Sequence, residues 1–318
     1  MRKIALEEHF SGPGFEKYLQ AVRDQFDPAV LSSIEALLPE FNEKRLAAMD
    51  AAEIEIAVLS QTAPGVQNES DTGIALRSAR ASNDFLAAQI SLYPKRYRGF
   101  ACLPMQDPFG AAEELERCIK EYKFVGALVN GNTNGVYLDD IRYRPFWQKL
   151  EELQVPLYLH PGNPYDHPHM YSGRPELNGA TFSWTCETAA HALRLVFSGV
   201  FDDFPGLRVI LGHMGEGLPF MLWRLDSRIM VTPYAKSLKR KPSQVIREHF
   251  FITTSGVCSP GPLACSLSEL GEDKVMFSVD YPYEDTQTAA DFIDNVPLEE
   301  SVRQNVCYRT AERVLKLN

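Results

Sequence analysis

In the segment ALEEHF, from Ala5 to Phe10, two adjacent carboxylates and an imidazole interrupt an otherwise apolar run. Side chains alternate across a strand, so Glu7 and His9 share one face while Glu8 points to the other. Three later apolar runs end in the same kind of group. His160 closes VPLYLH, His213 closes RVILGH and Asp280 closes KVMFSVD. Charged groups taken out of water need a partner or a metal. One divalent cation held by Glu7, His9, His160 and Asp280 meets that need, and the mixed nitrogen and oxygen set suits zinc, manganese or iron. His213 and Glu216 stand three apart in GHMGEGLPF. A carboxylate so placed fixes the tautomer of an imidazole and raises its basicity. Glu216 could equally be a carboxylate at the positive end of a helix dipole, a reading that leaves His213 unexplained.

These residues can meet only if the runs that carry them lie side by side. Eight such runs occur: Lys3–His9, Glu55–Ser60, Tyr97–Leu103, Phe124–Asn130, Val155–His160, Arg208–His213, Phe250–Thr254 and Lys274–Asp280. Strands buried on both faces read as near-continuous apolar runs of this kind. Between them the apolar residues recur at helical spacing in Asn42–Ala52, Thr72–Leu92, Pro108–Tyr122, Tyr143–Leu153, Thr185–Val200 and Leu218–Met230. Eight strand-helix units predict one α/β domain over 1–318, a (β/α)8 TIM barrel; a doubly wound open sheet is the structural alternative. The connections Ser11–Phe41 and Pro161–Thr185, after the first and fifth strands, exceed ordinary length and fall at the C-terminal strand ends, where barrel sites lie. Glu8 is expected to brace a neighbouring strand. His167 and His169 are expected to be exposed in the loop, His191 packed in its helix, and His249 remote from the mouth. Trp184 and Phe182 either flank an aromatic ring or pack beneath the loop.

Composition removes several classes. Of 318 residues 45% are apolar and 23% charged, with a net charge of −10 and no long basic run, which argues against nucleic acid or an anionic membrane as partner. Six scattered cysteines form no Cys-x-x-Cys pair, so they read as reduced, mostly buried thiols of a cytoplasmic protein. No stretch approaches the length of a transmembrane helix, and no Gly-rich fingerprint of an organic cofactor occurs.

The segments ALEEHF, GFACLPMQDP (Gly99–Pro108), FVGALVNG (Phe124–Gly131), VPLYLHPGNP (Val155–Pro164), VILGHMGEGLPFMLWR (Val209–Arg224), ITTSG (Ile252–Gly256) and FSVDYPYE (Phe277–Glu284) together resemble the amidohydrolase superfamily. They are most similar to its branch of metal-dependent aromatic-acid decarboxylases. That branch acts on γ-resorcylate (2,6-dihydroxybenzoate), 2,3-dihydroxybenzoate and salicylate. The resemblance implies that Glu7, His9, His160 and Asp280 bind one Zn2+ or Mn2+ per subunit, and that Asp280 is the acid/base with His213 and Glu216 beside it. It also implies that Arg224 supports the site or the substrate's charge, and that the chain forms a homodimer or homotetramer; His160, His213, Arg224 and Trp184 are the residues expected to meet a small aromatic acid. Glu-x-His in the first strand departs from the His-x-His of the superfamily's hydrolases. His9 stands where the 2,3-dihydroxybenzoate and salicylate enzymes carry alanine, which favours γ-resorcylate. GALVN offers no lysine for a second metal. The two long loops match poorly.

The reaction so implied is non-oxidative. The acid's carboxylate and ortho oxygen meet the ion, Asp280 protonates the ring carbon, and carbon dioxide leaves. Two other readings use the same residues. One is a metal-dependent hydrolase of lactones or amides, with Asp280 as general base to a water. The other is a binding protein that keeps the barrel and the ion, for which His213 and Glu216 would be superfluous.

Overall fold

All eight apolar runs become strands. The computed structural model describes residues 1–317, in which β1 (Lys3–Phe10), β2 (Ile54–Gln61), β3 (Tyr97–Cys102), β4 (Gly126–Asn130), β5 (Leu157–His160), β6 (Val209–Leu211), β7 (Phe250–Thr253) and β8 (Val275–Met276) run parallel in that order. The ring closes where Glu8 pairs with Tyr281 and the His9 N–H donates to the Tyr281 carbonyl at 2.7 Å. This is the (β/α)8 barrel that the alternation of runs predicts.

The ladder of β8 is shorter than the run Lys274–Asp280. The Phe277 N–H turns instead to the Val306 carbonyl at 2.7 Å, tying the C-terminal helical segment to the barrel. The helices Thr72–Leu92, Pro108–Tyr122, Arg144–Leu153, Ser183–Ser198 and Leu218–Ile229 lie within two residues of their predicted bounds. Asp71 and Asp107 cap the first two by accepting backbone N–H bonds.

Every strand sends at least one apolar side chain to the barrel axis, from Ile4 and Leu6 through Phe100 and Tyr158 to Met276. The opposite faces pack on the helices through residues such as Leu59, Val129, Leu159 and Leu211. β1 contains one irregularity that matters for function. Ala5 pairs with Ala57 and Glu8 with Leu59, so β1 carries one residue more than β2 across this interval. The N–H groups of Leu6 and Glu7 both aim at Ser278 Oγ, at 3.3 and 2.6 Å. Such a bulge resets the alternation. Ile4 and Leu6 fill the barrel, and beyond the bulge Glu7 and His9 take the axial face. Without it Glu7 would point at the helices.

The six cysteines are all unpaired, but only Cys102, Cys118 and Cys307 are buried; Cys258 is exposed. "Mostly buried" therefore holds for half of them. Among the described residues no helix is long and apolar enough to cross a membrane.

His191, in the helix Ser183–Ser198, is fully buried, accepts the Leu138 N–H through Nε2 at 2.9 Å and leaves Nδ1 without a partner. Burial, assisted by Arg194, pushes its pKa down to about 3. Below about pH 6.5 the unfolded chain takes up a proton that the folded one refuses, so stability is lost as pH falls from there toward 3. At pH 4 the loss from this group should be on the order of 3 kcal/mol. His191→Gln should flatten the decline of the urea midpoint between pH 6.5 and 4; an unchanged slope would refute the assignment.

Candidate active site

The C-terminal mouth of the barrel gathers the polar strand ends. The ligand atoms of Glu7, His9, His160 and Asp280 all lie within 4.8 Å of one another. His9 Nε2 stands 3.1 Å from Asp280 Oδ1, and His160 Nε2 stands 3.2 Å from Glu7 Oε1. Glu7 Oε1, His9 Nε2 and Asp280 Oδ1 are nevertheless buried without a hydrogen bond of their own. Polar atoms in that condition are costly unless a cation completes them. With metal–ligand bonds near 2.1 Å, adjacent ligands sit about 3 Å apart, so this spacing fits one divalent ion.

The far side of each group is already held. His9 Nδ1 contacts Ser60 Oγ at 3.2 Å and His160 Nδ1 contacts the Pro161 carbonyl at 2.9 Å, which leaves both Nε2 atoms facing the cluster. Glu7 Oε2 accepts from the Tyr158 hydroxyl and from Ser255 Oγ. Burial would raise the Glu7 pKa, but the imidazoles of His213, His160 and His9 together outweigh it and hold the carboxyl below its ordinary range. Burial depresses the His9 pKa against the opposing pull of Asp280 and Glu7. Glu8 takes the other face, where it accepts from the Val279 N–H at 3.0 Å across the closing seam; burial pushes it up to about 8. Behind the seam, buried Arg45 donates to the His9 carbonyl at 2.6 Å and stacks over Tyr281.

Residues 213–217 do not begin a helix. His213, Met214, Gly215, Glu216 and Gly217 all have positive φ, between 49° and 76°, a turn that ends before the helix Leu218–Ile229. Glu216 therefore stands ahead of that helix, before its N-cap Gly217, rather than in its first turn. The turn folds its Oε1 back to His213 Nδ1 at 2.7 Å, while His213 Nε2 lies 3.5 Å from Asp280 Oδ2. Burial opposes charge on His213, but Glu7, Glu216 and Asp280 raise its pKa well above the ordinary value. Asp280 itself has φ +80°. Non-glycine residues in this region cost about 1–3 kcal/mol each and cluster at functional sites. The result is a line of groups, Glu216–His213–Asp280, able to move a proton to the cluster.

Beside the line is a cavity of about 120 Å³ lined by His160, His213, Asp280, Tyr283, Trp184 and Phe26 among others. Trp184 lies edge-on to His160 at 6.3 Å between centroids. Arg224 does not join this site within the chain. It is exposed on the outer side of the helix Leu218–Ile229, beside Phe197, Met221 and Arg228, because that helix turns its other face to the barrel. Phe182 is 46% exposed and also lies outside. His167 and His169 are exposed, and His249 is buried against the Leu207 carbonyl. Ser60, Tyr158, Ser255 and Tyr283 are the site residues that the sequence pattern does not single out. Within an apolar run a tyrosine or serine resembles strand filling, and only the unusual ITTSG could have drawn attention to Ser255.

The family model described as amidohydrolase matches residues 34–317. The chain belongs to the amidohydrolase family. Among amidohydrolases, the γ-resorcylate decarboxylase of Polaromonas sp. strain JS666 is 44% identical over 99% of both chains. Two solved amidohydrolase structures each superpose with a TM-score of 0.94. One is a dihydroxybenzoic acid decarboxylase of Polaromonas sp. JS666 with bound manganese and the inhibitor 2-nitroresorcinol, at 43% identity over 100% of this chain and 97% of that one. The other is a 2,6-dihydroxybenzoate decarboxylase in complex with 2,6-dihydroxybenzoate, at 41% identity over 100% of both.

Gly212 follows β6 and lies against the Glu7 carboxylate, and a Cβ there would stand 2.6 Å from Oε2. Its backbone suits any residue, with φ −72° and ψ −174°. Gly212→Ala should displace Glu7 while leaving the fold intact. Affinity for manganese, measured by chelator competition, should fall about 10–100-fold; unchanged affinity would separate Glu7 from metal binding.

Proposed function

We propose that the chain is a metal-dependent carboxy-lyase that converts 2,6-dihydroxybenzoate to resorcinol and carbon dioxide. The observation that carries this reading is the double placement of Asp280: Oδ1 faces the ligand cluster and Oδ2 faces the His213–Glu216 pair. Glu7, His9, His160 and Asp280 would hold one divalent ion, manganese or zinc. When bound, it supplies positive charge that orients and neutralises a carboxylate and its ortho oxygen.

The chain's own groups do the rest. Trp184, Phe26 and Tyr283 enclose the ring and keep water from it. Protonated Asp280 donates to the ring carbon that bears the carboxylate, and the ortho oxygens support the interrupted aromatic system. The carbon–carbon bond then breaks, its electron pair returns to the ring, and carbon dioxide leaves. One proton is consumed per turnover. His213, kept cationic by Glu7 and Glu216, restores that proton to Asp280. A lactone or amide hydrolase would use the same cluster, but the reported relatives are decarboxylases along their whole length.

The chain is further inferred to be a cytoplasmic homodimer or homotetramer. Its unpaired cysteines fit a reducing compartment. Phe220 and Trp223, 86% and 79% exposed on the helix Leu218–Ile229, provide an apolar face for a second copy. Arg224 shares the outward side, so it would meet a substrate only across such an interface.

Carbon dioxide release from 2,6-dihydroxybenzoate, 2,3-dihydroxybenzoate and salicylate by the manganese-loaded protein tests the reading. The first acid should be preferred, and a chelator should abolish release. An ortho hydroxyl should be required, so turnover of 4-hydroxybenzoate would oppose it. Asp280→Asn should keep its metal and lose about 10²–10⁴-fold in kcat. An active Asp280→Asn protein would overturn the proton-donor role.

A further inference from the structure

The two long loops meet over the cavity at one side chain. Asn163 Oδ1 accepts from Gln25 Nε2 at 3.0 Å and from Trp184 Nε1 at 2.6 Å. Both partners are donors, which fixes the amide orientation. Gln25 belongs to the connection after β1, Asn163 to the one after β5, and Trp184 to the first turn of the helix Ser183–Ser198 into which that connection leads. The Asn163 carbonyl is in turn held by Asn132 Nδ2 at 3.1 Å, from the segment after β4. Gly179, at φ +66°, lets the second loop pass so close to the first that any Cβ there would collide with the Gln25 amide.

The residues beside these bonds line the cavity: Val22 and Phe26 flank Gln25, and Ala180 follows Gly179. With a carboxylate and an ortho oxygen at the strand ends, the ring's opposite edge, C4 and C5, points to this loop-borne wall. The side chains of that wall, Val22, Phe26, Ala180 and Trp184, offer carbon and one indole N–H, which is already given to Asn163; Tyr283 and Glu284, which line the same cavity, come from the segment after β8. We propose that the Gln25–Asn163–Trp184 clasp is the specificity-determining element of this chain, holding Trp184 and the two loops so that the ring edge remote from the carboxylate must be unsubstituted. Asn163 and Gln25 are positioning residues that act through the wall. The inference rests on the decarboxylase reading above.

The test compares kcat/KM for 2,6-dihydroxybenzoate and 2,6-dihydroxy-4-methylbenzoate in the manganese-loaded enzyme. The wild type should prefer the unsubstituted acid by at least about tenfold, as expected for one extra methyl in a closed pocket. Asn163→Ala and Gln25→Ala should bring the ratio toward 1, chiefly by raising KM for the smaller acid. Asn163→Asp, which keeps an acceptor for both donors, should retain the preference. A ratio unchanged in both alanine variants, or no preference in the wild type, would overturn the proposal. Trp184 fluorescence, taken as the difference from Trp184→Phe, supplies a readout that needs no turnover. Its emission should shift in Asn163→Ala and not in Asn163→Asp, and identical emission in all three would also overturn the clasp. If the wild type releases no carbon dioxide from either acid, the decarboxylase reading and the selectivity both fail, while the emission shift still decides whether the clasp exists.

Discussion

An ionised carboxylate buried in the mouth of a barrel is the constraint from which the rest of this site follows. Glu7 has no exposed surface. A charge so placed is tolerated only with compensating charge and hydrogen bonds on every side. Two hydroxyls, from Tyr158 and Ser255, satisfy one oxygen, and three imidazoles surround the other. The glycine at 212 leaves room for the group, and the bulge in β1 aims it. The same carboxylate raises the pKa of His213, so the group at the centre of the cluster also favours charge on the imidazole beside it.

Rigidity and adaptability are divided between layers. The strand ends, locked by ladder hydrogen bonds and by apolar packing below, fix atoms to within the tolerances that coordination and proton transfer demand. The five-residue left-handed turn at 213–217 stores backbone strain that the flanking strand and helix over-determine. Above this, Ser11–Phe41 and Pro161–Thr185 meet through the hydrogen bond from Gln25 to Asn163.

Much of this was legible in the sequence, for a physical reason. Strands buried on both faces must be apolar, so any costly residue within them stands out, and four strand ends carrying such residues identify one mouth. Helix bounds followed from the 3.6-residue period and from capping aspartates. Other features leave no such trace. Counted by strict alternation from Ile4 and Leu6, Glu7 would point outward; the phase shift that turns it inward depends on Ser278, far away in sequence. The turn at Gly212–Gly217 reads as a helix start because its glycines and glutamate satisfy helix-start rules equally well. Arg224 continues a recognisable motif, yet helix periodicity places it on the outer side, out of reach of its own barrel. Tyr158 and Ser255 look like ordinary strand residues until the strands are brought together.

The ring closes between the first strand and the last, and Glu7 and Asp280 stand on either side of that closure. A nascent chain that has emerged only through β7 has its Glu7 and His9 but neither Asp280 nor the Ser278 hydroxyl that sets the bulge. The four-residue cluster therefore does not exist as a local motif at any stage of synthesis. It requires β1 and the segment after β8 to be side by side, so the binding competence of this protein depends on closure of the ring.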